Sequence, residues 1–417
     1  MVTPMTETVS ALNVLLHGQS IGTLTHLGHD KTAFTLADAY VNDPSRPILS
    51  LSFKSMSGDV ITRAKVTQTK LTPFFSNLLP ENALRDYLAS RAGVNPVREF
   101  FLLKALGSDL PGAVQVEPAD GQSLPTTDGQ PERDQDNLGP MRFSLAGVQL
   151  KFSAIQRAHG GLTIPATGEG GSWIVKLPSP RFDGLPENEY AMMELARKIG
   201  IDVPETRLIP MDQIQGIPQS LENASSLTQR GTNAYVIRRF DRGFGEHEVQ
   251  AIHTEDFAQV FGVYPHDKHR KASMRNIAQV LKQEARQEDQ VELIRRLVFN
   301  ALIGNADMHL KNWSLIYRDK HKASLAPAYD FVSTIAYLPD DSAALTVSRS
   351  KTFSDFTIDE LEHLSVKAKL APDVVLETAK QTVQAFDDMW SQEKAHLPLT
   401  SSMVAAIDQH RVRVPLR

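Results

Sequence analysis

The sequence predicts an α+β protein with two lobes, the first rich in strands and the second mainly helical, preceded by a small α+β domain. Short runs of alternating apolar and polar residues, separated by Gly, Asp, Asn and Pro, fill residues 10–55 and return over 142–240. From about residue 254 onward, apolar residues recur at helical spacing. A chain of 417 residues is also too long for one compact core, so we expect two or three domains.

The first domain is predicted to span residues 1–112. Leu12–Leu16 and Ser20–Leu24 lie on either side of a short polar turn, which predicts a hairpin, and Leu49–Phe53 predicts a further strand. Helical spacing follows from Phe74 to Leu106. These patterns together predict a compact α+β unit.

A linker or mobile loop is predicted over residues 113–140, which are polar, acidic and rich in Pro and Gly. Residues 141–240 then form the strand-rich lobe, with one clear helix from Glu187 to Ile199. Residues 241–417 form the helical lobe, in which Asp289–Leu302 has apolar residues along one stripe. We therefore divide the chain into four segments.

Composition excludes several classes of function. The formal net charge is −5, so the chain as a whole is not a basic nucleic-acid binder. It has no cysteine, hence no disulfide, thiolate zinc site or cysteine nucleophile. Neither a signal peptide nor an apolar run of membrane-spanning length is evident. These features fit a cytoplasmic protein without a membrane partner.

The loop from Gly304 to Asn312 carries the strongest chemical signal. Asp307 and Asn312 stand five residues apart, and Asp330 follows two short strands that predict a hairpin returning it beside Asn312. Phosphoryl transfer from ATP needs one carboxylate to take a hydroxyl proton, and an amide oxygen and a second carboxylate to hold Mg²⁺. Asp307 is therefore the predicted general base, and Asn312 and Asp330 the predicted Mg²⁺ ligands. The alternative is a polar loop whose side chains only cap turns.

A single lysine interrupts the apolar strand Trp173–Leu177. Because a lysine on a buried strand needs an anion, Lys176 is predicted to bind the phosphates of ATP. Glu189, in the next helix, is the candidate carboxylate partner of Lys176. The alternatives are an edge-strand lysine that points to solvent and an ordinary surface carboxylate.

The turn Ser144–Gln149 leads into a strand that starts at Lys151. A turn of small residues can direct backbone N–H groups at phosphates, although a plain β-turn explains the same pattern.

Two histidines, His266 and His269, suggest a metal site at first sight. No third ligand is suitably spaced, which favours solvated loop histidines. The basic run Lys268–Lys271 is interpreted as a solvated turn, and the alternative is a phosphate contact to DNA or tRNA.

At these motifs the chain resembles the HipA family of bacterial serine/threonine kinases, the toxins of HipA–HipB toxin–antitoxin modules. The resemblance covers about residues 10–385 and implies a bilobal, protein-kinase-like (HipA-like) fold. The matching segments occur in one order along the chain: Asn77–Glu81, Ser144–Lys151, Ile174–Pro178, Asn188–Tyr190, Arg239–Arg242 and Gly304–Asn312.

The resemblance also assigns roles to residues around the nucleotide. It implies that Ser144 is autophosphorylated and that the phosphate-binding loop follows it directly. It implies that the segment 238–240 meets the adenine ring, as a kinase hinge does. The ATP-binding residues implied in this way are Ala146, Gly147, Val148, Gln149, Leu150, Lys151, Lys176, Arg238, Arg239, Phe240, His309, Lys311, Asn312, Tyr329 and Asp330.

The implied function is an ATP- and Mg²⁺-dependent serine/threonine-protein kinase that promotes growth arrest and persistence. The family resemblance implies a translation factor as substrate, such as glutamyl-tRNA synthetase. It also implies a HipB-like helix-turn-helix antitoxin partner, through which operator DNA is contacted. Two alternatives stay open: a catalytically degenerate, kinase-fold binding module that acts as antitoxin partner and co-repressor, and a small-molecule kinase.

Overall fold

A computed structural model gives the fold of the chain. It describes residues 10–55, 57–119, 151–156, 162–164, 171–217, 232–244, 249–338 and 342–416. Within these ranges no helix combines the length and the apolar character that crossing a membrane requires. Ser144 and residues 146–150 of the predicted phosphate-binding loop lie outside the described residues.

The N-terminal domain is built on an antiparallel sheet with the strand order β4-β3-β2-β1-β5. Alternate residues of the first strand, Leu12, Val14 and Leu16, are fully buried against the helices of the domain. The predicted hairpin is confirmed, because Leu12 pairs with Leu24 across it. The elements are β1 (Ser10–Leu16), β2 (Gln19–His26), β3 (Lys31–Leu36), α1 (Asp38–Val41), β4 (Val66–Gln68), α2 (Pro73–Leu78), α3 (Asn82–Arg91), α4 (Glu99–Leu106) and β5 (Val114–Pro118).

Two segments of this domain differ from their predictions. Leu51–Phe53 forms a 3₁₀ turn and not a strand, because Glu255 in the distant helical lobe accepts hydrogen bonds from Ser50 Oγ and, at 3.0 Å, from Leu51 N. The linker predicted over residues 113–140 starts too early. Its first residues form β5, whose alternating buried valines pair with β1 and complete the sheet.

The strand-rich lobe contains a sheet with the strand order β10-β7-β6-β8-β11-β9. The predicted helix in this lobe is confirmed as α5. Gly184 precedes it with φ of +64° and Gly200 follows it with φ of +84°. Positive φ angles of this size suit glycine, which has no Cβ atom. The elements are β6 (Lys151–Gln156), β7 (Leu162–Thr163), β8 (Trp173–Lys176), α5 (Leu185–Lys198), β9 (Thr206–Pro210), β10 (Ile214–Gln215) and β11 (Asn233–Arg238).

The helical lobe packs around α8, whose predicted stripe of Leu293, Leu297 and Ala301 is fully buried. A small antiparallel sheet of β14, β15 and β16 lies beside it and carries the predicted hairpin. The elements are β12 (Arg242–Phe244), β13 (Val249–Ala251), β14 (His253–Asp256), α6 (Phe257–Val260), α7 (Met274–Glu284), α8 (Gln287–Leu302), β15 (Ser314–Tyr317), β16 (Ser324–Leu325), α9 (Ile358–Ala368), α10 (Pro372–Glu393) and α11 (Ser401–Arg411).

One apolar core joins the two lobes. It contains Met192 and Leu195 of α5 and Tyr235 of β11 together with Leu297 of α8 and Phe386 of α10. Because close-packed cores resist deformation, this shared core fixes the strand-rich lobe against the helical lobe. The charged side chains on the facing surfaces of the two lobes are thereby held across a defined cleft.

Candidate active site

A cleft of about 1590 Å³ lies between the lobes, and the N-terminal domain closes one of its sides. Lys151 and Lys176 reach it from the strand-rich lobe, and Asp307, Asn312 and Asp330 from the helical lobe. The fold therefore collects into one cavity five charged or polar residues that are separated by up to 179 positions in the chain.

The end of α8 determines where the predicted catalytic loop, residues 305–312, starts. Gly304 has φ of +65°, and a Cβ atom there would lie 2.7 Å from Ile335 Cγ2, so only glycine fits. The next residue, Asn305, is buried and donates from Nδ2 to Asn300 Oδ1 at 2.7 Å and to Asp330 O at 3.3 Å. Its Oδ1 accepts a hydrogen bond from Asp307 N at 3.1 Å. Asn305 thus holds the catalytic loop and the segment that carries Asp330 together.

Asp307 and Asn312 face the cleft from this loop. Asn312 Nδ2 donates to the carbonyl oxygen of Asp307 at 2.9 Å, which leaves Asn312 Oδ1 as the atom that can meet a cation. The Asp307 carboxylate is open to solvent at the floor of the cleft. The surrounding protein nevertheless raises the pKa of Asp307 to about 6 by desolvation, and Lys268 opposes this shift. A carboxylate with this pKa can take up a proton near neutral pH.

Lys176, Asp330 and Glu189 form a buried ionic cluster. Lys176 Nζ lies 2.5 Å from Glu189 Oε1 and also bonds to Asp330 Oδ1. Burial opposes the charges, yet the two carboxylates raise the pKa of Lys176 and its ammonium lowers that of Asp330. Burial raises the pKa of Glu189 to about 7. Lys176 is therefore a cation and Asp330 an anion, and the two side chains are in contact.

A second lysine, Lys151, lies next to this cluster. Lys151 starts β6 and is paired directly with Lys176 of β8 across the sheet. Like charges that face each other on neighbouring strands repel each other. An anionic ligand between the two lysines would relieve this repulsion.

The segment 238–240 connects the lobes behind the cleft. The side chain of Arg239 is buried. It binds Asp241 in a bidentate manner at 3.0 and 2.9 Å and reaches Asp109 of the N-terminal domain at 2.9 Å. Arg242 joins the same two aspartates. Because these contacts occupy the side chain of Arg239, a nucleotide can contact only the backbone of this residue. Phe240 stacks obliquely on Tyr329, with ring centroids 5.6 Å apart, and lines the cleft.

The N-terminal domain contacts the catalytic loop directly. Glu81 Oε1 lies 2.8 Å from Lys311 Nζ and Glu81 Oε2 lies 2.9 Å from Lys268 Nζ. Burial opposes its charge, but these lysines lower the pKa of Glu81 to about 2. Lys311 also donates to Asn77 O at 3.1 Å. The ammonium of Lys311 is thereby engaged by the segment Asn77–Glu81.

The two aromatic residues of the loop region have different surroundings. The hydroxyl of Tyr329 donates to Lys311 O at 2.8 Å and bonds to Ser314 Oγ at 2.6 Å, which fixes the backbone next to Asn312. His309 is buried, and desolvation followed by the charge of Lys268 lowers its pKa to about 3. A neutral His309 can donate or accept a hydrogen bond or bind a metal, but it brings no positive charge to a phosphate.

Sequence reasoning did not identify Glu81 or Asn305 as site residues. The signal for Glu81 was present, because it ends the motif Asn77–Glu81, but no local pattern reveals a lysine partner 230 positions away. Asn305 was visible only as part of the loop. Both act by holding residues that face the cleft, a role that depends on tertiary contacts.

The cleft fits Mg²⁺ and a nucleoside triphosphate by the chemistry of its donors. Asn312 Oδ1 and the second oxygen of Asp330 are hard oxygen ligands of the type that Mg²⁺ takes. Lys176 is a buried cation whose present partner, Asp330, is itself a predicted metal ligand. Lys176 would bind a phosphate group of the nucleotide, and Asn312 and Asp330 would hold Mg²⁺.

The fold and the site together define a two-lobed, kinase-like protein, and comparison with known proteins gives its family. Residues 12–117 match the model of the HipA N-terminal domain and residues 143–390 that of the HipA-like C-terminal domain. The chain belongs to the HipA family and has both of its domains in order. The bilobal α+β fold predicted from the sequence is confirmed.

Individual relatives agree with this assignment. The chain is 49% identical over 411 residues to the Sinorhizobium fredii protein named Putative kinase Y4dM, with 98% of each chain covered. It is 27% identical over 347 residues to the serine/threonine-protein kinase toxin HipA of Shewanella oneidensis, covering 75% of this chain and 73% of that one. Its fold is similar to a chain in the solved Shewanella oneidensis MR-1 complex of HipA, HipB and operator DNA, with a TM-score of 0.72, 21% identity and coverage of 97% and 95%.

Proposed function

We propose that the chain is an ATP- and Mg²⁺-dependent serine/threonine-protein kinase and the toxin of a HipA–HipB-type toxin–antitoxin module. One observation carries the proposal: the ionic cluster of Lys176, Glu189 and Asp330 faces the same cleft as Asp307 and Asn312. The family and the names of its relatives support the same activity.

Each residue of the cluster has a distinct role in this proposal. Bound Mg·ATP supplies the phosphoryl group that is transferred to a hydroxyl oxygen. Asp307 accepts the proton of that hydroxyl as the new P–O bond forms and ADP leaves. Asn312 and Asp330 hold Mg²⁺, Lys176 binds phosphate oxygens, and Glu189 keeps Lys176 in place. The segment 238–240 meets the adenine ring through its backbone.

The family supports a proposal for the partners of the chain. We propose a HipB-like helix-turn-helix antitoxin that links the kinase to operator DNA, which agrees with the complex named for the similar Shewanella structure. The acceptor is proposed to be a translation factor such as glutamyl-tRNA synthetase, whose phosphorylation arrests growth and promotes persistence. The site of action is proposed to be the cytoplasm.

A non-catalytic module that binds the antitoxin as co-repressor is the second candidate, and a direct experiment separates the two. Cell extract is incubated with Mg·ATP and either the wild-type protein or Asp307→Asn, and phosphopeptides are compared by mass spectrometry. A kinase adds phosphoserine or phosphothreonine to the same acceptors only in the wild-type sample. Identical phosphopeptides in both samples would favour the binding module.

The pH dependence of the rate should report the ionisation of Asp307. Because the base acts only when ionised, and desolvation raises its pKa to about 6, kcat/KM is expected to fall as the pH drops through about 6. Glu189, with a pKa of about 7, also titrates in this range, so the profile of Glu189→Gln separates the two groups. An unchanged acidic limb in the residual activity of Asp307→Asn would contradict the assignment.

Phosphorylation of Ser144 is expected to switch the enzyme off. The added charge of about −1.5 to −2 would stand where the phosphates of ATP bind, so the modified loop should leave the cleft. Peptide mass spectrometry after incubation with Mg·ATP should find this phosphate in the wild-type protein but not in Asp307→Asn. If stoichiometrically phosphorylated protein binds ATP with full affinity, the switch is refuted.

A further inference from the structure

Two histidines and the proposed catalytic base meet at the floor of the cleft. His269, Asp307 and His309 each place one ligand-type atom within 4.8 Å of the other two. No third ligand for His269 is visible in the sequence, because the residues that join it lie 38 and 40 positions further along the chain. The fold supplies both of them.

His309 shows that this cluster is incomplete without a ligand. Its side chain is 6% exposed, yet its Nδ1 has no hydrogen-bond partner within the described residues. A buried nitrogen without a protein partner is available to a ligand, and here it belongs to a residue of the three-membered cluster. The ring of His269 stands edge-on to that of His309, with centroids 5.0 Å apart, on the accessible side of the cluster.

Backbone and ionic contacts hold together the loop that carries His269 and the loop that carries Asp307 and His309. Leu310 N donates to Lys268 O at 3.2 Å, which joins the residues next to His309 and His269. Lys268 Nζ is anchored 2.9 Å from Glu81. Because the two loops are held together, binding a cation costs mainly the freedom of the side chains.

We propose that His269, Asp307 and His309 form a binding site for a borderline divalent metal ion such as Zn²⁺, distinct from the Mg²⁺ site, and that its occupation inhibits the enzyme. Two imidazoles and one carboxylate suit Zn²⁺ and its neighbours, whereas Mg²⁺ takes oxygen ligands. Metal–ligand bonds of about 2.0–2.2 Å require the three atoms to draw closer, which the exposed side chains of His269 and Asp307 can do by rotation.

The ionisation of the cluster favours a metal over protons. Desolvation is the main cause that lowers the pKa of both His269 and His309, the latter to about 3. Lys268 and Arg270 are the cations that act on the cluster; Lys268 is paired with Glu81, and Asp330 adds a negative charge. A lowered imidazole pKa favours metal binding, because a metal ion binds the neutral ring.

Inhibition follows from the position of Asp307. A carboxylate that is bound to a metal cannot accept the proton of an acceptor hydroxyl, and the metal occupies the space that the hydroxyl needs. This consequence depends on the proposed kinase activity. Metal binding itself does not depend on that activity, so the two can be tested apart.

Binding is tested with Co²⁺, a spectroscopic substitute for Zn²⁺, added to the full chain without nucleotide. The wild-type protein should take up one equivalent and develop the visible d–d absorption of Co²⁺ bound to imidazole, and Zn²⁺ should displace it. His269→Ala should lose at least about tenfold in affinity, because one of three protein ligands is gone. His266→Ala is the matched control: that ring is exposed, lies beside Lys70 and Asp267, and is not part of the cluster.

Inhibition is tested by adding Zn²⁺ to an assay with saturating Mg·ATP. The rate without Zn²⁺ should be the same within about twofold in wild-type protein, His269→Ala and His266→Ala, since neither histidine acts in the reaction. The concentration of Zn²⁺ for half inhibition should rise at least about tenfold only in His269→Ala. Equal Co²⁺ spectra, or equal inhibition, in wild type and His269→Ala would overturn the proposal. An inactive wild-type protein with the expected Co²⁺ spectrum would refute the kinase and leave the metal site standing.

Discussion

Asp307→Asn is expected to lower the rate of phosphoryl transfer by about two to four powers of ten, the usual effect of removing a positioned general base. The amide has the shape of the carboxylate but cannot accept the hydroxyl proton. Because the loop is held by Asn305 and Asn312 through backbone atoms of Asp307, the substitution leaves those hydrogen bonds in place. Rapid-quench kinetics with saturating Mg·ATP measures the effect.

The same variant should bind ATP nearly as well as the wild-type protein does, because the phosphates are held by other side chains. Calorimetric titration with a non-hydrolysable analogue provides this control. Phosphoryl transfer at the wild-type rate would show that Asp307 is not the base. Growth arrest on expression should disappear with the activity.

Asp330→Ala is expected to weaken binding of Mg·ATP at least about tenfold, whereas binding of ATP without metal should change little or improve. The reason is the dual contact of Asp330: it is a proposed Mg²⁺ ligand, and without nucleotide it occupies Lys176. Asn312→Ala should weaken only the Mg²⁺-dependent part of the affinity. Lys176→Ala should weaken ATP binding with or without metal, since it removes a buried cation from the phosphates.

Calorimetric titrations of ATP with and without Mg²⁺ compare these three variants. The pattern across them is more informative than any single value, because a merely unstable variant would lose both kinds of binding. If Asp330→Ala binds Mg·ATP as tightly as the wild-type protein does, Asp330 is not a metal ligand.

The parts of the site that the sequence predicted are those set by local spacing. Asp307 and Asn312 share one loop, and two short strands return Asp330 to it. Lys176 and Glu189 stand 13 positions apart, on a strand and on the helix that follows it, and the fold brings the two side chains into contact. Alternating and helical patterns predicted most elements for the same reason, since each pattern reflects one buried face.

The features that the sequence could not show depend on distant partners. Leu51–Phe53 has a strand-like pattern, but Glu255 binds its backbone and turns it into a 3₁₀ segment. The motif places Arg239 in the segment that is expected to contact the adenine ring. Its side chain instead binds Asp109 of the N-terminal domain. The meeting of His269 with His309 likewise requires the folded lobe. Tertiary contacts decided each of these outcomes.

The central claim is that this cleft transfers the terminal phosphoryl group of ATP to protein. The most direct test compares protein labelling by ATP that carries ³²P at different phosphates. Purified protein and its acceptor, or the protein alone, are incubated with Mg²⁺ and ATP labelled with ³²P at either the γ or the α phosphate. We expect protein-bound label from γ-labelled ATP only, dependent on Mg²⁺ and absent from Asp307→Asn. Label from α-labelled ATP, or no label although ATP binds, would contradict the assignment of the cleft as a kinase active site.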